Sequence, residues 1–333
     1  MIRRGICEAL KAEPSKVRPK PRPCSIHKTG KGRPPAKLSE QLSHCDILIS
    51  AWKSQTHRGN NVSQLPIASD GIPARETGSW VHEKKYYLER YLTISTRGVG
   101  RKWNGKLAYL DLFSGPGRSI IRGSGEEVDG SPLIALKCAF ASYVFVDSPD
   151  VLDALRQRLK GHPRLSDVAF IPGDCNSVID KVKAALPADH LTFAFVDPTG
   201  LHIRFSTIQN LISKRRVDLL MTIQSGMGIL MNLHQYSRSD GETLTSFLGS
   251  DAWRDDINVG GTPSAIGHRI LNRYLNQLRK LGYETVDGHG VPVRTDQNLL
   301  LYFIVLASRH PRAHDFWIKT IKIGPTGQRS LDL

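Results

Sequence analysis

Short apolar segments that alternate with amphipathic ones constrain the fold of this chain more than any other feature. Five such apolar segments lie between residues 107 and 223, separated mostly by stretches whose apolar residues recur at helical spacing. Parallel strands are buried on both faces and need a crossover helix between them, so this order predicts a doubly wound, mostly parallel α/β sheet. The predicted strands are 107–113, 143–147, 168–174, 191–197 and 217–223, with a later strand at 299–308.

The rest of the chain divides by composition. Residues 1–37 contain six prolines and carry 11 Lys and Arg against 2 Glu, so we expect a disordered basic tail, either passive or in contact with nucleic-acid phosphates. Residues 38–76 are predicted to be a linker with a short helix. Residues 77–333 form the predicted α/β domain, with a mostly helical insertion at about 224–296.

Charge and cysteine content exclude several classes of protein. The formal net charge is +15, but the tail alone contributes +9, so the predicted domain is only mildly basic. The five cysteines form no C-x-x-C pair, which argues against a metal centre or a disulfide framework and favours reduced thiols in the cytoplasm. No apolar run approaches the ~20 residues of a membrane span, so we expect no membrane partner.

Small and acidic residues follow the first two predicted strands. Ligands of an open parallel sheet bind beyond the carboxyl ends of its strands, where the strand order reverses. The first strand ends in DLFSGPG, where Asp111, Ser114, Gly115 and Gly117 are candidate cofactor-binding residues. The small residues of this turn let backbone amides approach a ligand closely. The second strand ends in Asp147, which can accept hydrogen bonds from both hydroxyls of a ribose.

The third and fourth predicted strands end in the same way. The third is followed by Asp174 and Cys175, which we expect beside an adenine-sized slot. The fourth ends in Asp197 and Pro198, which we expect to face the reaction. An acidic residue at one strand end is often only a helix N-cap, but four in succession at one edge of a sheet favour a binding site.

The spacing after the glycine turn bears on the ligand. A dinucleotide site places a helix N-terminus directly after its glycines and against a pyrophosphate, and a P-loop needs G-K-[S/T], which is absent from this turn. Here the predicted helix begins only at Ser131, well after Gly117. The spacing therefore favours a ligand without phosphate, and we predict S-adenosylmethionine as the cofactor.

Four longer segments carry a resemblance to a known family. They are YLDLFSGPGRSIIRGSGEEVDGSPLIAL, FVDPTGLHI, SFLGSDAWR and LYFIVLASRHPRAHDFW. Together they resemble the three-Cys-motif partner protein (TcmP) family over residues 77–325. The resemblance implies a Rossmann-like, class I S-adenosylmethionine-dependent methyltransferase fold, and a three-Cys-motif protein as a partner.

The residues after the fourth strand bear on the methyl acceptor. Cytosine-C5 methyltransferases need a Pro-Cys nucleophile at this point, whereas FVDPTG contains no cysteine and Cys175 follows a different strand. Amino-group methyltransferases use an Asp/Asn-Pro-Pro-aromatic motif, of which Asp197 and Pro198 keep the first half. We therefore predict that Asp197 orients an exocyclic amine of RNA or DNA; the alternative is that it only caps a helix.

The long loop between the glycine turn and its helix has two interpretations. Its charged residues Arg118, Arg122 and Glu127 belong either to a lid over cofactor and substrate or to an exposed hairpin. Three functions stay open at this point. The chain is an active nucleic-acid methyltransferase, a subunit of a defence or mobile-element locus that methylates only with its partner, or an interaction module without catalysis.

Overall fold

The fold is known from a computed structural model that describes residues 65–224, 242–259, 261–285 and 290–328. The predicted basic tail 1–37, the short helix in the linker and the first part of the helical insertion lie outside the described residues.

The elements are numbered here in chain order. The strands are β1 (Arg75–Thr77), β2 (Leu107–Asp111), β3 (Arg118–Ile121), β4 (Glu127–Asp129), β5 (Ser142–Asp147), β6 (Val168–Pro172), β7 (Leu191–Val196), β8 (Arg216–Ile223), β9 (Glu284–Thr285), β10 (Val291–Arg294) and β11 (Leu300–Ser308). The helices are α1 (Val81–Val99), α2 (Ser131–Leu136), α3 (Pro149–Arg158), α4 (Cys175–Ala185), α5 (Phe205–Ile212), α6 (Glu242–Leu248), α7 (Trp253–Asn258), α8 (Pro263–Lys280) and α9 (Pro311–Ile321).

The main sheet confirms the predicted parallel arrangement. Its strand order is β10-β11-β8-β7-β2-β5-β6, and the five strands from β8 to β6 are parallel. Strand β11 is antiparallel to both of its neighbours on this path, and β9 also pairs with it. The chain leaves β2 for β5 on one side and later returns to β7 on the other, so the order reverses between β2 and β7. That is where an open α/β sheet binds its ligand.

Helices cover both faces of the sheet because its strands are apolar throughout. All five residues of β2 are buried, and the four apolar ones alternate between two core clusters. One cluster packs α1, α2, α3 and α9 against one face of the sheet, and the other packs α4, α5, α6 and α8 against the opposite face. None of the described helices combines the length and the apolar character that a bilayer span requires.

A second, smaller sheet lies next to the glycine turn. Strands β3 and β4 form a hairpin, and β1 pairs in parallel with β3, from Arg75 opposite Ser119 to Thr77 opposite Ile121. Residues 65–77, most of which the sequence analysis placed in the linker, therefore pack into the domain. Their short, polar strand has no apolar periodicity that would reveal it. The predicted helical insertion holds α6, α7 and α8, but residues 291–294 near its end are the edge strand β10.

Candidate active site

Three carboxylates lie side by side at the point where the strand order reverses. Asp111 ends β2 and pairs in register with Phe145 on β5 and with Phe195 on β7. Asp147 and Asp197 each follow those partners by two residues, on strands about 4.8 Å to either side. The fold therefore brings together the acids of the first, second and fourth predicted strands, with Asp111 in the middle.

Asp111 is the buried member of this row. Its side chain has no solvent exposure, and its carboxylate accepts hydrogen bonds from the Phe113 amide (3.1 Å) and the Tyr109 hydroxyl (3.3 Å). Burial is the largest cause that raises the pKa of Asp111 to about 7, and the nearby charges of Asp197 and Asp147 act in the same direction. Asp111 is thus placed to hold the turn together rather than to face solvent.

Asp147 connects the glycine turn to β5. Its Oδ2 accepts from the Gly115 amide at 2.9 Å and its Oδ1 from the Ser148 amide at 2.8 Å. The same Oδ2 pairs with the Arg75 guanidinium at 3.2 Å, so a side chain from β1 reaches the position predicted for a ribose. The Ser148 hydroxyl beside it is buried and has no hydrogen-bond partner among the described residues.

Asp197 is held on two sides. Its Oδ2 lies 2.5 Å from Nζ of Lys84 on α1, and its Oδ1 accepts from the Thr222 hydroxyl on β8 at 2.8 Å. The carbonyl oxygen of Pro198 accepts from the side-chain amide of Gln224 at 3.0 Å. The carboxylate expected to receive a substrate amine and the carbonyl next to it therefore receive donors of the protein itself. Asp197 begins no helix here, since the next one starts only at Phe205.

The glycine turn is built for close packing. Gly115 and Gly117 have φ of +64° and +87°, values that side-chain-bearing residues rarely adopt. A Cβ on Gly117 would lie 2.7 Å from the Leu155 side chain on α3, whereas a Cβ on Gly115 would meet only Arg75, at 3.9 Å. Packing therefore explains Gly117, and only Gly115 presents an open face. Ser114 is buried, and its hydroxyl bonds to the Val146 carbonyl at 3.3 Å.

The glycine turn and the start of α2 lie close together in space, although the β3–β4 hairpin separates them in sequence. The Gly130 amide donates to the Gly117 carbonyl at 2.8 Å, so the β3–β4 hairpin leaves the turn and returns to it. The expectation that the helix start lies far from the glycines is therefore wrong, because the inserted segment closes on itself. The chain's own Asp111 carboxyl lies beside the start of α2, close enough for the Ser131 hydroxyl to lower its pKa against the effect of burial.

Asp174 and Cys175 begin α4 at the end of β6. The Asp174 carboxylate is exposed and caps the helix by accepting from the amide and side chain of Asn176 and from the Ser177 hydroxyl. The Cys175 thiol packs into the core, where burial raises its pKa to about 12. A thiol in that state is a packing group and not a nucleophile.

The charged residues of the inserted hairpin are paired with one another and with their surroundings. Arg118 contacts Glu127 at 3.1 Å and Asp70 at 3.4 Å, and Arg122 contacts Glu76 at 3.2 Å. Glu127 also accepts from the amide and hydroxyl of Ser69. Of the two interpretations of this loop, the geometry favours a hairpin fastened to residues 65–77.

Besides Arg75, two basic residues near the site were missed by the sequence analysis. Lys84 lies on the polar side of α1, where a lysine usually only meets solvent. Arg158 on α3 is 3% exposed at its side chain and donates to Asp70 and to the carbonyls of Ile72, Pro73 and Pro116. It ties the segment before β1 to the glycine turn. No local pattern marks either contact, because the partners lie more than 40 residues away in sequence.

The comparisons with known proteins concern the fold alone. No protein-family model matches the chain, and no curated protein matches it significantly. It is similar to the O-methyltransferase TomG from Streptomyces achromogenes in complex with SAM, at 11% identity and a TM-score of 0.40, over 81% of this chain and 98% of that one. It is also similar to an O-methyltransferase from Bacillus cereus in complex with SAH, at 8% identity and a TM-score of 0.39, over 83% and 92%. A third similar structure is cofactor-bound Rv0187 from MTB, at 12% identity and a TM-score of 0.39, over 84% and 100%.

Proposed function

We propose that this chain is an S-adenosylmethionine-dependent methyltransferase that acts on an exocyclic amine of RNA or DNA. The observation that carries the proposal is the row of Asp147, Asp111 and Asp197 across the point where the strand order reverses. In this proposal Asp147, beside the glycine turn, accepts the ribose, and Asp197 with the neighbouring Pro198 carbonyl accepts the substrate amine. The proposed binding and acceptor groups thus lie at the ends of the two strands that flank β2, one on each side of the point where the strand order reverses.

The β5 side of this row fits the nucleoside half of the cofactor. Arg75 donates to the Asp147 carboxylate from the position that a ribose hydroxyl would take, so a bound ribose would replace the guanidinium there. The Ser148 hydroxyl is a further polar group, buried and without a described partner. The start of α2 has the Asp111 carboxyl beside it, which disfavours a bound pyrophosphate and suits a cofactor without one. S-adenosylmethionine, when bound, supplies an electrophilic methyl group.

The β7 side fits an amine. Oδ2 of Asp197 and the carbonyl oxygen of Pro198 receive nitrogen donors from Lys84 and Gln224. An exocyclic amine carries two N–H groups and needs two such acceptors. A substrate amine would therefore replace the Lys84 ammonium at Asp197, and the carboxylate would orient its lone pair toward the cofactor.

The two ion pairs favour a second candidate function, that of a partner-dependent subunit. Arg75 on β1 and Lys84 on α1 come from one short segment, and each covers one of the outer carboxylates. An event that shifts this segment would free both acids at once. Binding of a partner, such as the three-Cys-motif protein implied by the resemblance, is one such event.

Transfer of a labelled methyl group to separate RNA, DNA and protein fractions tests the proposal. We expect label in RNA or DNA, and a rate lower by roughly two to three orders of magnitude in Asp197→Asn with cofactor binding unchanged. Asp189→Asn is the matched control, because Asp189 pairs with Lys106 at an exposed site. Label only in protein, or a wild-type rate in folded Asp197→Asn, would contradict the amine assignment. Transfer that needs an added partner protein would favour the second candidate.

A further inference from the structure

A cavity opens at the edge of the sheet opposite the candidate active site. It has a volume of about 240 Å³ and lies between α1, α9 and the beginnings of β7 and β8. The candidate active site lies at the carboxyl ends of the same strands, about 20 Å away along β7. The cavity is therefore separate from the candidate active site.

Its walls are apolar and largely aromatic. They are formed by side chains that include Tyr91, Val99, Phe193, Ala313 and Phe316. A flat ring system is the ligand that such walls bind best, since stacking and burial both reward it. The volume is below the roughly 300–1,000 Å³ of pockets for drug-sized ligands, which suits one ring system rather than a whole cofactor.

A carboxylate lies among these walls. The side chain of Asp218 is mostly buried, and its Oδ1 accepts from the Ser308 hydroxyl at 2.6 Å. No described residue donates to its other oxygen. The Tyr91 hydroxyl lies near the Ser95 hydroxyl, and neither has a further partner in the described part of the chain. The inner part of the cavity thus offers an acceptor to a ligand that carries a hydrogen-bond donor.

Cations surround the cavity. Lys102, Arg215, Arg216, Arg309 and Arg312 all line it. Arg215 and Arg309 donate to backbone carbonyls, and Arg216 stacks over Trp103 at 5.3 Å. Among the described residues none of the five pairs with a carboxylate at ion-pair distance. Such a group of uncompensated positive charges favours an anion, above all a phosphate.

We propose that this cavity binds a nucleotide whose base carries an amino group. The base lies between the aromatic walls with its amino group donating to Asp218, and the phosphate meets the arginines. A fatty acid fits less well, because its tail would end against a carboxylate. A uracil base is disfavoured, since its one free ring donor, N3–H, lies between two carbonyl oxygens that the same carboxylate would repel. The nucleotide is either free or the terminal one of a nucleic-acid strand.

Calorimetric titration of the full-length protein tests this, with S-adenosylmethionine at saturation so that the cofactor site is filled. The ligands are AMP, GMP, CMP, UMP and adenosine. We expect at least one amino-bearing nucleotide to bind about tenfold or more tightly than UMP. Where that nucleotide is AMP, it should also bind about tenfold or more tightly than adenosine, which lacks the phosphate. The same titrations in Asp197→Asn, at the proposed amine site, and in Asp147→Ala, at the proposed cofactor site, separate this cavity from the proposed active site, because neither residue lines it.

Two variants locate the binding. Replacing both Arg216 and Arg312 by Gln should weaken the nucleotide by about tenfold or more, while the Lys319→Gln, Lys322→Gln pair removes as much charge elsewhere and should not. Asp218→Asn should abolish the preference over UMP. A 5′-phosphorylated oligonucleotide that competes for the site identifies a strand end as the source, and failure to compete identifies the free nucleotide. No binding, or binding insensitive to the arginine pair, would overturn the proposal.

Discussion

The ammonium of Lys84 lies 2.5 Å from Oδ2 of Asp197, so the carboxylate expected to hold a substrate amine already holds one. Both side chains are mostly shielded from solvent, at 22% and 16% exposure. Salt screens the attraction between two partly buried charges less than it screens an exposed ion pair, so this pair holds the two side chains together more strongly than a surface pair would. It suggests that Lys84 keeps the acceptor position filled until a substrate or a partner displaces it.

Removal of this lysine should therefore favour the substrate. In Lys84→Met we expect the KM for an amine acceptor to fall by roughly fivefold to tenfold, with kcat little changed, because the competing ammonium is gone. Steady-state methyl transfer measures both constants. Lys106→Met removes a comparable Lys–Asp pair at an exposed site and serves as control. An unchanged KM with a lower kcat would instead make Lys84 a positioning residue for Asp197.

Arg158 should matter more to stability than its neighbour on the same helix. It donates to Asp70 and to three backbone carbonyls while almost fully buried, and a lysine cannot reproduce that fork. We expect Arg158→Lys to lower the free energy of unfolding by about 2–3 kcal/mol. Arg156→Lys, at an exposed pair with Asp153, should change it by less than about 0.5 kcal/mol. Denaturant titration checks both, and equal effects would contradict the role assigned to Arg158.

Asp111 should make stability depend on pH. Its pKa is about 7 in the folded protein against 3.8 as the ordinary value, so the folded state binds the extra proton between those limits. Stability from this group is complete below about pH 4, falls as the pH rises, and levels off above about pH 7, by up to roughly 1 kcal/mol per pH unit. Asp218, with a pKa of about 6, acts in the same direction. The measurement is therefore the free energy of unfolding of Asp111→Asn minus that of wild type. This difference should fall as the pH is lowered from 7 to 5, because only wild type gains stability from protonation of Asp111. A difference that does not change with pH would contradict the prediction.

The sheet could be predicted from the sequence because its signal is local. Strands β2, β5, β6, β7, β8 and β11 are continuous apolar runs, and such runs bounded by amphipathic helices have few other structures open to them. The acids at the strand ends followed directly, since parallel strands share an edge. Asp111, Asp147 and Asp197 accordingly lie together as the pattern indicated.

The missed features depend on contacts between distant residues. Strands β1, β3 and β4 are short and rich in charge, and they are stable only as a set. One hydrogen bond, from the Gly130 amide to the Gly117 carbonyl, closes the hairpin. It brings the start of α2 next to the glycine turn, whereas the sequence suggested that the two lie far apart. Arg75 and Lys84 read as ordinary surface cations, so their occupation of the two outer carboxylates has no signal in the sequence.

Calorimetric titration with S-adenosylmethionine is the most direct test of the proposed cofactor site, which lies where the strand order of the sheet reverses. Wild-type protein should bind it, and Asp147→Ala should bind about 1.5–3 kcal/mol more weakly, since the ribose hydroxyls lose a charged acceptor. Asp150→Ala, an exposed acid three residues further along, is the matched control and should bind like wild type. Melting curves confirm that all three proteins are folded. Equal affinity in wild type and Asp147→Ala, or no binding by any of the three, would contradict the account.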